Sequence, residues 1–238
     1  MRKGLAVVFG LFLAAAPAAA QDNKPVDVNF GFGWTFPLTD LKNDFNAGWH
    51  GTIGVTYNLN PKVGILVDYT YHRMNGPEKT ILVGSTPGGV ATSSQLIESN
   101  HQVHALTFNG VYKAMPHDSM IGGYVLGGLG YYHRIIQLTS PAVGYTTICD
   151  PYWYVCYPAA VSVDNILGDR SSNDFGINFG GGVTFGHEAK FYVEARYTYV
   201  WGPTINAASN LPAGATATCS GGCSTNASYF PLTFGVRW

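Results

Sequence analysis

The sequence predicts an all-β chain, an eight-stranded antiparallel transmembrane β-barrel. Three observations carry that expectation. Eight stretches of about ten residues alternate apolar with small or polar side chains, the signature of strands that face lipid on one side. The connections between them alternate short and long. Charged residues make up 11% of the 238 and aromatic residues 14%, and the charges within the alternating stretches fall on the face opposite the apolar one.

The chain opens with basic Met1-Arg2-Lys3, runs through apolar Gly4 to Pro17 and reaches Ala18-Ala19-Ala20 before Gln21. That order predicts a cleaved secretory signal peptide over 1–20 and leaves 21–238 as the barrel domain. Strand one is expected at 26–36, with Val26, Val28, Phe30, Phe32, Trp34 and Phe36 on one face. Strand two, 49–59, shows Trp49, Ile53, Val55, Tyr57 and Leu59. Strand three, 63–72, shows Val63, Ile65, Val67, Tyr69 and Tyr71. Strand four, 101–113, shows Leu106, Phe108 and Tyr112. Strand five, 121–133, is rich in glycine, and Tyr124, Leu126 and Tyr132 are assigned outward. Strand six, 174–185, shows Phe175, Ile177, Phe179, Val183 and Phe185. Strand seven, 191–201, shows Phe191, Val193, Tyr197, Tyr199 and Trp201. Strand eight, 230–238, shows Phe230, Leu232, Phe234, Val236 and Trp238.

The short connections read NPK, AMPHDSM and GHEAK, and the long ones cover 37–48, 73–100, 134–173 and 202–229. Such asymmetry puts short turns toward the periplasm and long loops outside the cell. Trp34, Phe36, Tyr69, Tyr71 and Trp201 gather near the long-loop ends. Tyr57, Tyr112, Phe185, Phe191 and Trp238 gather near the turns. These are two aromatic belts at two membrane interfaces. Strand eight must pair with strand one, because an open edge in lipid leaves backbone groups unsatisfied.

Facing away from lipid are Asp27, Asp68, Lys113, Glu194, Arg196 and Arg237. Opposite strands place Arg196 within reach of Asp68 across the lumen, with Glu194 beside it. Asp27 and Arg237 are expected to pair nearer the turns. Together these groups are expected to plug the bore, since an unpaired charge there costs several kcal/mol.

Cys149, Cys156, Cys219 and Cys223 lie in long connections and are candidates for disulfides. Four cysteines allow three connectivities, and Cys149–Cys156 with Cys219–Cys223 is the simplest. No histidine stands at ligand spacing beside either pair, so no metal site and no cofactor is expected. Without Arg2 and Lys3, 11 Lys and Arg face 14 Asp and Glu, a net charge of −3, which argues against nucleic acid as a partner. Gly180-Gly181-Gly182 is not a phosphate loop, because no helix follows it.

The stretches GGYVLGGLGYY (122–132), DFGINFGGGVTF (174–185), FYVEARYTYVWG (191–202) and terminal FPLTFGVRW resemble the small outer-membrane β-barrel proteins of Gram-negative bacteria. The architecture is similar to the transmembrane domain of outer membrane protein A and to OmpW-type barrels. The resemblance implies an outer-membrane location, lipid around the wall and a monomer as the assembled unit. It also implies recognition by the barrel-assembly machinery through Phe234, Val236 and Trp238. The chain stops at its last strand, so no attached peptidoglycan-binding domain is expected.

Three functions compete. The first is a structural or surface-interaction barrel, with no enzymatic activity. The second is a conduit for small or hydrophobic molecules, suggested by Pro37, Pro203 and Pro231. They are placed at the outer ends of strands one, seven and eight, where each removes a ladder donor. The third is an enzyme or metal-binding barrel using His72, His101 and His133, all expected to point inward at the outer rim.

Overall fold

The computed structural model describes residues 25–85, 91–114, 120–149, 156–186, 189–205 and 223–238. The segment read as a signal peptide and Cys219 lie outside them. The strands are β1 Val26–Leu38, β2 Gly48–Asn58, β3 Val63–Asn75, β4 Lys79–Ser85, β5 Ala91–Lys113, β6 Ile121–Cys149, β7 Cys156–Phe185, β8 Lys190–Trp201, β9 Thr204–Ile205, β10 Cys223–Ser224 and β11 Ala227–Arg237. A four-residue helix, α1 Leu41–Asp44, follows β1.

Eight strands close a barrel in the order β1, β2, β3, β5, β6, β7, β8 and β11, and β11 returns to β1. Every pairing is antiparallel. Backbone bonds between Val28 and Trp238, 2.9 and 3.0 Å long, complete the seam. Trp238 stacks on Phe30 with ring centroids 5.4 Å apart.

The stagger follows from the register. A row of paired residues that leaves β3 at Val63 passes through Tyr112, Val125, Gly181, Ala195, Leu232, Trp34 and Trp49. It comes back to β3 at Arg73, ten residues above its start. A barrel with that offset needs strongly tilted strands, by roughly 35–45°.

Alternation sends the apolar set outward. Phe32, Trp34, Tyr57, Phe108, Tyr112, Phe175, Phe179, Phe191 and Trp238 are all exposed. In a soluble protein such a surface would be a liability; around a membrane barrel it is the lipid-facing band. Inside, the lumen is layered along the strands. Leu66, Val111, Tyr124 and Leu126 form an apolar cluster toward the short turns. Phe45, Met74, Val103, Ala105, Tyr132, Val200, Ala227 and Tyr229 form another toward the outer mouth, with Leu41 of α1 packed on it. Polar and charged side chains fill the space between.

The structure corrects the facing of the fifth strand. Tyr124, Leu126 and Tyr132 are buried in the lumen, while Val125, Leu129 and Tyr131 are exposed. Glycines make the room: a Cβ on Gly182 would lie 2.7 Å from the Tyr124 ring, and one on Gly130 would lie 2.7 Å from the Tyr132 ring. The tyrosines turn in because the opposing inward positions carry no side chain.

The long connections are also not all loops. Segment 73–100 contains β4, paired with the extended start of β5. Segment 134–173 is largely a β-hairpin, with β6 and β7 paired as far as Cys149 opposite Cys156. Beyond the membrane one face no longer has to be apolar, so a search for that alternation passes over these rows. Pairing still satisfies their backbone groups.

Candidate functional site: the lumenal charge network

Arg196 is the centre of the lumen. Its position on β8 alternates it inward, and the neighbouring inward residue is Glu194. Nη1 of Arg196 donates to Asp68 Oδ2 on β3 at 2.6 Å, and Nε donates to Glu194 Oε1. Asp68 also accepts from the Thr107 hydroxyl and from Asn109 Nδ2, the latter at 2.8 Å. Tyr124 Oη donates to Glu194 at 2.7 Å. Asp68, Glu194 and Arg196 are 1%, 2% and 8% exposed. Such buried charges persist only when paired and hydrogen-bonded.

Nearer the short turns, Asp27 accepts from Lys113 Nζ at 3.2 Å and from Asn58 Nδ2 at 3.1 Å. The Arg237 guanidinium lies over the rings of Tyr124 and Tyr192, 4.8 and 5.4 Å from their centroids. Near the outer mouth is an ion pair that the sequence reading missed. Arg134 meets Asp174 through Nε and Nη2, both at 2.6 Å, and its Nη1 donates to the Thr225 carbonyl. The misassigned parity of strand five, and its end at residue 133, one short of Arg134, concealed it.

The histidines divide. His72 and His101 are buried inside. His133 is outside, corrected by the same reversal that turned Tyr132 inward; its Nδ1 donates to Asn173 Oδ1 at 2.6 Å. The inward partner of His72 is His50, which the sequence reading passed over. Thr35 Oγ1 lies 3.0 Å from His50 Nδ1 and 2.8 Å from His72 Nδ1. One hydroxyl has one proton to give, so at least one of these rings carries its own proton on Nδ1. His101 packs on Phe45, ring centroids 5.0 Å apart. Among the described residues, no three His, Cys, Asp or Glu side chains are grouped to hold a metal ion.

A cavity of ≈ 20 Å³ remains beside Arg196, lined by His50, His72, Thr107, Tyr132 and Pro231 among others. That is room for about one water molecule. Pro231 sits within β11, several residues below its outer end. Pro37 is paired near the end of β1, and Pro203 lies in the turn after β8.

Phe234, Val236 and Trp238 share the outward face of the last strand. The family model of the outer membrane protein β-barrel domain matches residues 5–218. The chain belongs to that family. It is therefore a bacterial outer-membrane barrel, in which the apolar face meets lipid and the network above occupies the interior. No curated relative matches this member of the family. Among solved structures, Neisserial surface protein A is 15% identical, with TM-score 0.45, and the match covers 90% of this chain and 96% of that one. Ail of Yersinia pestis, solved with the heparin analogue sucrose octasulfate, is 13% identical, with TM-score 0.43 and coverage of 90% and 97%. The N-terminal barrel domain of Pseudomonas aeruginosa OprF is 12% identical, with TM-score 0.40 and coverage of 90% and 98%.

Proposed function

We propose that this barrel is a closed-lumen scaffold that carries a surface-interaction hairpin outside the cell, and that it is not an enzyme. The observation that carries this reading is the length of the β6–β7 ladder. Pairing of β5 with β6 stops at Glu98 and Thr139, whereas β6 and β7 stay paired to Cys149 and Cys156. Ten further residues on each arm, at roughly 3.3 Å each, reach some 30 Å along the strand direction. A two-stranded ribbon with free edges presents backbone donors and acceptors to partners. In this reading the chain is exported by a signal peptide at 1–20, inserted as a monomer by the assembly machinery, and braced outside by disulfides among Cys149, Cys156, Cys219 and Cys223.

The test replaces 141–164 with an Asn-Gly turn. Cells with the full chain and cells with the variant are compared for retention on immobilised glycans and matrix proteins. The variant is expected to assemble normally and to lose retention. Equal retention of both on every surface overturns the reading.

A second reading, a lateral conduit for hydrophobic molecules, rests on the β8–β11 wall. Tyr229 pairs with Thr198 and Leu232 with Ala195, but Phe230 and Pro231 between them have no partner row on β8. The break borders the lumenal cavity. Fast amide exchange at Arg196 and Tyr197 in detergent, against slow exchange at Val193, supports an opening there. Uniformly slow exchange along β8 removes it.

A further inference from the structure

We propose that Arg73, His104 and His133 form an outward-facing site for the phosphate of an outer-leaflet lipid headgroup. The inference uses the outer-membrane location but does not depend on the surface hairpin.

Register brings the three together. Tyr71, His104, His133 and Asn173 follow one another along a single row across β3, β5, β6 and β7. Arg73 is one outward position above Tyr71 and pairs with Gln102, so it stands diagonally across from His104. Trp49 flanks Arg73 on β2. This row is level with the outer aromatic belt, where Trp34, Trp49, Tyr131, Phe175 and Trp201 mark the end of the apolar band.

The imidazoles are set in place. His104 Nδ1 is 2.7 Å from Tyr69 Oη. Asn173 Oδ1 accepts from both His133 Nδ1 at 2.6 Å and Tyr131 Oη at 2.8 Å. The ring centroids are 6.1 Å apart. With each Nδ1 engaged, the Nε2 atoms are left to meet a ligand. Asn173 requires His133 to donate from Nδ1, which leaves Nε2 of the neutral ring as an acceptor. Arg73 has no carboxylate partner among the described residues, whereas Lys113, Arg134, Arg196 and Arg237 inside the barrel each have a carboxylate or an aromatic ring.

At the polar boundary the Arg73 guanidinium matches a phosphate in charge, and the His133 Nε2 can accept from the hydroxyl of a phosphate monoester. A lipid is the occupant because the cluster sits on the lipid-facing wall, with the acyl chains of such a molecule running down the aromatic face below it. The acidic groups nearest on the same face, Glu98 and Asp169, stand several residues further out along their strands.

The test uses the full chain in detergent and native mass spectrometry with a bisphosphorylated disaccharide lipid and its dephosphorylated form. Wild type is expected to retain the phosphorylated lipid about tenfold more than the other, the value of one charge-assisted contact. The triple variant Arg73→Gln, His104→Gln, His133→Gln is expected to retain both equally, with heat-modifiable migration preserved. Equal retention by wild type overturns the site, as does undiminished preference in the triple variant. Displacement of the lipid by millimolar inorganic phosphate overturns the lipid assignment. If the triple variant does not assemble, Arg73→Gln alone is read by the same ratio, and an unchanged ratio overturns the site.

Discussion

At the scale of single residues, Arg196 decides how the lumen is held. It is the shared donor to two carboxylates on opposite walls, so Arg196→Ala leaves Asp68 and Glu194 buried without their cation. The expected loss is roughly 3–5 kcal/mol, measured as the urea unfolding midpoint in detergent. Adding Asp68→Asn and Glu194→Gln to that variant should recover some of the loss, since the orphaned charges are then gone. No recovery would show that Arg196 acts through packing rather than charge. Gly182→Ala tests the opposite limit. Its new Cβ would meet the Tyr124 ring, and overpacking is expected to cost roughly 1–3 kcal/mol by the same measurement. The nearest atom to that Cβ is the Val193 carbonyl oxygen, so a Gly182→Ala variant as stable as wild type would show that both the β8 backbone and Tyr124 give way. The inward facing of Asp68, Glu194 and Arg196 was legible from alternation alone. The contacts of Asp27 were harder to read, because they depend on the stagger of the whole barrel and on Lys113, two strands beyond β2. Tyr124 and Tyr132 were misread because a strand so interrupted by glycine has no continuous apolar face to set its parity.

At the scale of elements, β11 closes the wall. It pairs with β1 from Ser228 to Arg237 and with β8 from Ala227 to Tyr229 and again from Leu232 to Arg237. Removing 229–238 strips both neighbours of a partner, and unpaired backbone in lipid costs several kcal/mol per group. The truncated chain is expected to lose heat-modifiable migration, and a truncated chain that keeps it would show that β1 and β8 can pair directly. The β6–β7 arm makes a separate point. Cys149 and Cys156 occupy directly opposite backbone positions, a placement that suits a cross-strand bridge. Mass spectrometry after alkylation without reductant is expected to show no free thiol at either position; two alkylated cysteines there would remove the brace. The membrane-crossing stretches of these strands were readable in the sequence because lipid enforces the same alternation on every row. The projecting arms were not, because water on both faces imposes no such rule and leaves only backbone pairing to define them.

At the scale of the whole molecule, strand number and stagger set the bore. Eight strands with a ten-residue offset around the ring enclose a space about wide enough for side chains to fill. Here that space contains, in order along the axis, the Asp27–Lys113 pair, an apolar cluster capped by Tyr124, the Arg196 network, the His50–Thr35–His72 group and the apolar cluster under Phe45 and Leu41. An ion crossing the barrel would have to pass these layers, and the Arg134–Asp174 pair near the outer mouth, in succession. Breaking a buried pair costs roughly 3–5 kcal/mol, and each dry layer adds the desolvation of the ion itself. These barriers act in series, so opening any one layer leaves the others in place. Purified wild-type protein in planar bilayers is therefore expected to show no steady conductance of porin size. The Arg196→Ala variant is expected to lose stability without becoming a large channel, because the clusters around Leu66 and Met74 are untouched. Stable large steps from wild type would show that the interior does not remain packed in a bilayer. Large steps from the variant alone would place the whole barrier at Arg196.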